Sequence, residues 1–301
     1  VLSCVIFNPA AKGDKARRFR RHFDEFAAHC TVKPTACAGD ARRLAAEAVR
    51  EGCQTVIAAG GDGTVNEVLN GIGDIPGGFE RTRLAVLPLG TVNVFARELT
   101  LPLNVERAWQ TIVAGAETCI DLPSAEYVLK GGKIRRYFAQ LGGAGLDARA
   151  VELVHWPLKK KIGPLAYVWA GLQALVAQAS RIQVTVDGQS LVGELVLIGN
   201  GKFYGGNYRV FPKADLRDGL LDVRVFPKVN WLTLARCGPQ LVLTGSIPDA
   251  SATQVCGQTI RLESEGRTPV EIDGELAGVL PATFSIEPLR LRVVVPQEVV
   301  I

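Results

Sequence analysis

Three clusters of polar residues are spaced to do chemistry. In Gly60-Gly61-Asp62-Gly63-Thr64-Val65-Asn66-Glu67, two carboxylates, a hydroxyl and an amide crowd into six residues behind a pair of glycines. The apolar run 55–59 leads in as a short strand, and Val65, Val68, Leu69 and Ile72 then share one helical face. Strand, glycine turn and helix N-terminus together point backbone N–H groups at an anion, which suits a nucleotide phosphate. Asp273-Gly274-Glu275, after the strand-like run 270–272, offers two carboxylates within three residues. If the segment stays extended, both face the same side and reach one cleft, where either could take a proton from a hydroxyl. A solvated Asp-Gly turn is the plainer alternative. Asp215, Asp218 and Asp222 form an oxygen-rich loop suited to a hard cation such as Mg²⁺.

The elements that must position these groups fall into two textures. Up to about residue 120, strand patterns at 1–7, 31–35, 54–59, 84–88 and 117–122 alternate with helical patterns at 14–29, 40–51, 65–72 and 104–114. This alternation predicts an α/β domain, residues 1–123, with a mostly parallel sheet and ligands beyond the carboxyl ends of its strands. The polar turns Asn8–Gly13 and Leu89–Asn93 follow two such ends and would ring one cleft with the glycine loop. From Ser124, short alternating runs dominate: 133–141, 181–187, 191–199, 220–226, 259–263, 268–273, 282–287 and 290–295. Helical patterns interrupt them only near 145–154, 164–178 and 230–243. Residues 124–301 therefore read as a β-sandwich domain, whose last strand could return to the first.

Composition fits a globular protein of about two domains with a substantial core: 301 residues, 48% hydrophobic, 21% charged, net charge +4. The charge permits an anionic partner such as a nucleotide or an acidic lipid surface; nucleic acid is not expected. Seven scattered cysteines without a CxxC pair argue against disulfides or structural zinc and fit a cytoplasmic setting. The start, Val1–Phe7, reads as a strand and not as a signal peptide. The apolar stretch Ile162–Ala179, broken by Gly163, Pro164 and Gly171, is marginal for spanning a bilayer and reads as a buried or docked helix.

The glycine block resembles the signature of the diacylglycerol kinase catalytic-domain family, which includes bacterial lipid kinases and the sphingosine and ceramide kinases. Further matches keep the family's order: Asn8-Pro9, Pro88-Leu89-Gly90-Thr91-x-Asn93-x-Phe95-Ala96-Arg97, Gly163-x-x-Ala166-Tyr167, Pro212-x-Ala214-Asp215-x-x-Asp218-Gly219-Leu220-Leu221-Asp222 and Ile272-Asp273-Gly274-Glu275. The resemblance implies an α/β domain and a β-sandwich with the active site between them, and ATP- and Mg²⁺-dependent phosphorylation of a lipid alcohol, diacylglycerol first. By resemblance, ATP contacts fall on Asn8, Thr35, Gly61, Asp62, Gly63, Thr64, Val65, Asn66, Glu67, Gly90, Thr91 and Asn93. Asp215, Asp218 and the carbonyl of Leu220 would hold a structural Mg²⁺ linked to the cleft through Asp121. Asp273 or Glu275 would supply the base, with Asp62 a third candidate because sphingosine kinases give its counterpart that task.

One position departs: many members have Gly-Thr-x-Asn-Asp, and Val94 stands where the final aspartate would be. It motivates an alternative of another class, a nucleotide- or lipid-binding protein without turnover. Ceramide or a long-chain base is the alternative acceptor; NAD kinase is disfavoured by the downstream motifs. No P-loop motif occurs, and Gly143-Ala144-Gly145-Leu146-Asp147-Ala148 lacks the βαβ continuation of a dinucleotide site. His22, His29 and His155 have no ligand-like companions. Trp156-Pro157-Leu158-Lys159-Lys160-Lys161 joins aromatic, apolar and cationic residues and suggests peripheral contact with an anionic membrane.

Overall fold

The protein is described from a computed structural model covering residues 2–9, 30–145, 148 and 180–297. The helices expected at 14–29 and 164–178, most of that at 145–154, the three histidines, the Trp156–Lys161 patch and the motif at Gly163, Ala166 and Tyr167 lie outside the described residues.

The first domain builds β1 (Ser3–Phe7), β2 (Thr31–Pro34), α1 (Asp40–Arg50), β3 (Thr55–Gly60), α2 (Asp62–Gly73), α3 (Gly78–Arg81), β4 (Arg83–Pro88), α4 (Val94–Glu98) and α5 (Val105–Ala114). Its parallel sheet runs β4-β3-β1-β2. Alternate residues serve opposite faces, as the strand period requires. Cys4, Ile6, Val56 and Ala58 pack with α1 and α2, whereas Val5, Phe7, Ile57 and Ala59 pack with α5. Helices on both faces explain why β3 is apolar at nearly every position.

The second half forms β5 (Glu117–Leu129), β6 (Gly132–Tyr137), β7 (Leu141–Gly145), β8 (Ile182–Val186), β9 (Gln189–Gly193), β10 (Leu195–Gly199), β11 (Phe203–Tyr204), β12 (Tyr208–Arg209), β13 (Leu221–Phe226), α6 (Trp231–Thr244), β14 (Thr253–Gly257), β15 (Thr259–Ser264), β16 (Pro269–Ile272) and β17 (Glu275–Val294). Its antiparallel strands enclose a core of Phe138, Val184, Val196, Ile198, Val223, Ile260, Val270 and Phe284. The two runs expected at 282–287 and 290–295 are one 20-residue strand, β17, bent by register shifts against β5. Its last residues pair with β4 in parallel, so the C-terminal strand closes the first domain's sheet. The texture change at Ser124 falls inside β5, which runs through both domains. Gly143 lies in β7, where its missing side chain lets the Val196 carbonyl approach; this segment is sheet, not a phosphate turn. No helix among the described residues is long and apolar enough to cross a membrane.

Candidate active site

The carboxyl ends of β1 to β4 form one rim. The backbone N–H of Asn8 donates to Ala59 and that of Thr35 to Phe7, which sets these two side by side with the glycine turn. The Asn8 side chain donates to Thr64 Oγ1 at 3.2 Å. Gly61 precedes α2 in extended conformation with no side chain capping the helix, so its first turn is presented to the rim. Across from it, the Leu89 and Gly90 N–H groups both donate to the Gly60 carbonyl. A Cβ on Gly90 would lie 2.5 Å from Gly61 Cα and 2.7 Å from Asn93 Oδ1, so only glycine allows the two turns to touch. Asn93 takes a left-handed conformation and donates to the Gly90 carbonyl at 2.7 Å; Thr91 stays exposed.

The polar residues within the glycine block divide by task. Glu67 turns away from the rim and accepts from the N–H groups of Gly39 (2.9 Å) and Ala41 (3.0 Å), capping α1. Asp62 accepts from Phe95 N–H at 3.2 Å, holding the N-terminus of α4. Burial pushes its carboxyl up, the Phe95 N–H pulls it down, and nearby Asp273 pushes it up again. Val65 is core. Asn66, fully buried, donates to Asp273 Oδ2 at 2.7 Å and to the Tyr137 carbonyl, while its oxygen accepts from Arg136 Nε at 2.8 Å. It ties α2 to the second domain.

Asp273 and Gly274 both adopt left-handed conformations, at φ 49° and 78°, and join β16 to β17 as a two-residue hairpin with Ile272 opposite Glu275. The segment is thus a turn and not extended, and its acids part company. Asp273 folds inward and accepts four N–H groups: Asn66 and Ala139 (2.9 Å) on Oδ2, Gln140 (3.0 Å) and Leu141 (3.1 Å) on Oδ1. Burial pushes its carboxyl up and these donors pull it back. Glu275 stands outward, half its side chain exposed. Its Oε1 lies 3.1 Å from where a Cβ of Gly63 would be, and its Oε2 accepts from Arg136 Nη2 at 3.0 Å. Arg136, on β6, was not foreseen from sequence, where it is one polar residue in an alternating strand. Only the fold puts it between Asn66 and Glu275.

Residues 3–125 match the diacylglycerol kinase catalytic domain, and residues 142–295 match the YegS C-terminal NAD kinase beta sandwich-like domain. A diacylglycerol kinase of Staphylococcus carnosus is 31% identical, covering 98% of this chain and 95% of the relative. The chain belongs to the diacylglycerol kinase family. A Bacillus subtilis diacylglycerol kinase is 28% identical over 98% of this chain and 96% of its own. A crystal structure of a diacylglycerol kinase from Bacillus anthracis shares the fold at TM-score 0.74 and 23% identity, over 99% of this chain and 98% of that one.

Within this family the acidic loop and Val94 take on meaning. Asp121 is buried, and its two oxygens accept from Gly219 and Leu289 N–H groups, both at 2.7 Å. Burial and the charges of Asp218 and Asp215 push its carboxyl up. Burial and Asp218 push Asp222 up to about 6. Asp215 and Asp218 each accept an N–H two residues on, at 3.0 and 2.9 Å. The donor chemistry and crowded negative charge fit a hard cation, although the described residues gather no group of three such ligands at one point. Val94 is buried, and its N–H, with that of Phe95, serves Asp62. With valine at this position, Asp62 stays anchored.

Proposed function

We propose that the chain is an ATP-dependent lipid kinase that moves the γ-phosphoryl group of ATP to the free hydroxyl of diacylglycerol, giving phosphatidate. The position of Glu275 supports this best: a half-exposed carboxylate from the second domain overhangs the first turn of an anion-binding helix. Gly61, Gly63 and Thr64 present α2 to the phosphates, Asn8, Thr35 and Thr91 flank them, and Asn93 shapes the Gly90 turn. Glu275 is the general base. As the lipid oxygen bonds to phosphorus and the bond to the ADP oxygen breaks, the hydroxyl proton passes to Glu275. Asp273, its four donors in place, fixes the hairpin that carries Glu275; Asp62 fixes α4. Asp215, Asp218 and the Leu220 carbonyl, beside the buried Asp121 that accepts from Gly219, would hold a structural Mg²⁺, which would neutralise the charge of this acidic loop. The lipid is met at an anionic membrane surface that the chain touches peripherally.

Labelled ATP with Mg²⁺ and a panel of diacylglycerol, ceramide and a long-chain base tests this reading. Labelled phosphatidate is expected. Preferential labelling of ceramide or a long-chain base would change the acceptor, and no labelled lipid from a folded protein would favour a binding role without turnover.

A further inference from the structure

Helix α6 has a face that the fold leaves uncovered. Its sequence, Trp231 to Thr244, is apolar nearly all round and holds no acid. A helix of that kind is normally buried on every side. Here Cys237 packs inward against the cluster that holds Leu197, Phe211 and Phe226, while Trp231, Leu232 and Leu243 point outward at 64%, 72% and 83% exposure. At 100° per residue, exposed Ala235, Arg236 and Pro239 fall on the same outer face. A Trp and two leucines left in water on one helix exceed the scattered exposure that surfaces normally show.

The charges around this face favour one kind of cover. The helix itself holds no acid, while Lys228 and Arg236 are exposed; the acids beside it are already engaged, Glu194 by the Val229 N–H and Asp249 by Arg224 and Gln254. A second copy docking here by two-fold symmetry would set Arg236 against a helix face that holds no acid to pair it. An anionic bilayer complements these cations instead: acyl chains take the apolar face, headgroups take Lys228 and Arg236, and Trp suits the boundary. The face also continues to the active-site rim. The Gly245 carbonyl, which ends α6, accepts from Arg209 N–H in the β11–β12 hairpin. In that hairpin Tyr208 is exposed, and Asn207 accepts from Arg97 at 2.7 Å. A Cβ on Gly206 would lie 3.5 Å from exposed Val92, inside the Gly90–Asn93 turn.

We infer that α6 is the membrane-docking element of this chain, laying its outer face on an anionic bilayer next to the cleft. The inference rests on the lipid-kinase reading for its purpose and not for its test. The full chain is mixed with phosphatidylcholine vesicles, with and without phosphatidylglycerol, and binding is measured by co-sedimentation. The triple variant Trp231→Ser, Leu232→Ser, Leu243→Ser should lose about tenfold or more of its vesicle affinity, given the apolar area withdrawn. Lys228→Glu with Arg236→Glu should lose affinity only for the anionic vesicles. Melting temperature and turnover of a short-chain, water-dispersed diacylglycerol should stay unchanged in both. Bromolipid quenching of the wild type compared with Trp231→Phe reads insertion directly, even where the triple variant fails to fold. Vesicle binding indifferent to these changes, quenching that survives Trp231→Phe in full, or a dimer that the triple variant dissociates would overturn the inference. If no lipid is phosphorylated but vesicle binding falls as described, the kinase reading fails and the docking surface stands.

Discussion

Replacing Asp273 by Asn separates a catalytic acid from a structural one. The substitution keeps size, and Asn tolerates the left-handed φ of 49° as well as Asp does. What it changes is one oxygen, which becomes an –NH₂ facing two N–H donors. Whichever way the amide turns, either Asn66 and Ala139 or Gln140 and Leu141 lose their acceptor. Hydrogen bonds to a charged acceptor are worth about 1.5–3 kcal/mol each, so two lost bonds cost at least about 3 kcal/mol. At roughly 2–4 °C per kcal/mol for a protein of this size class, the melting temperature should fall by about 6–12 °C. Glu275→Gln removes a half-exposed group with one partner, Arg136, and should melt as the parent does. Its turnover should fall by about 10²–10⁴, the usual contribution of a positioned base. Differential scanning fluorimetry and initial rates on both variants measure these outcomes. An Asp273→Asn protein that melts like the parent but has lost its turnover would refute the reasoning and make Asp273 the base.

The remaining predictions use the same assays. Glu67→Ala should lower stability by about 1 kcal/mol by uncapping α1, with the KM for ATP little changed, because Glu67 faces Gly39 and Ala41 and not the rim. Gly90→Ala should raise the KM for ATP and cost about 1–3 kcal/mol, since its Cβ would force the Gly61 backbone to move. Arg136→Gln should depress kcat more than KM and leave melting nearly unchanged; equal losses in Arg136→Lys would tie the effect to the two-pronged contact with Asn66 and Glu275. Mg²⁺ should raise the parent's melting temperature and fail to do so in Asp215→Asn with Asp218→Asn; an equal rise in both would place the ion elsewhere.

The parallel half of the fold was legible because its signals are local. Period-two and period-3.6 patterns at β1, β3, β4, α1, α2 and α5 need no distant partner to be read. The antiparallel half was legible in kind but not in length. β17 was divided in two because Glu287, Pro288 and Arg290 interrupt its pattern just where its register against β5 shifts. α3 and α4 are too short for a periodic signal. In the site, the glycine block marked the turn that opens α2 at the rim, but side-chain type alone did not say where its acids would point. Glu67 and Asp62 look alike in sequence, yet each satisfies the N-terminus of a different helix, a demand set by tertiary packing. The expectation of an extended Asp-Gly-Glu failed for a local reason: Asp followed by Gly favours two left-handed residues and hence a tight hairpin.

That hairpin explains why two carboxylates stand so close with unequal roles. A general base on an exposed turn would be held loosely, since a two-residue loop has little packing of its own. Here the turn is pinned from inside by Asp273, whose four donors come from α2 and from residues 139–141, which lead into β7. Asn66 takes part in both halves of this arrangement, donating to Asp273 and accepting from the Arg136 that holds Glu275. Any shift of the second domain against α2 must therefore stretch the Asn66 contacts before it carries Glu275 away from Gly63. On the proposed reading, these bonds tie the two walls of the cleft together where Glu275 would take the proton, which is the positioning that phosphoryl transfer demands of a protein.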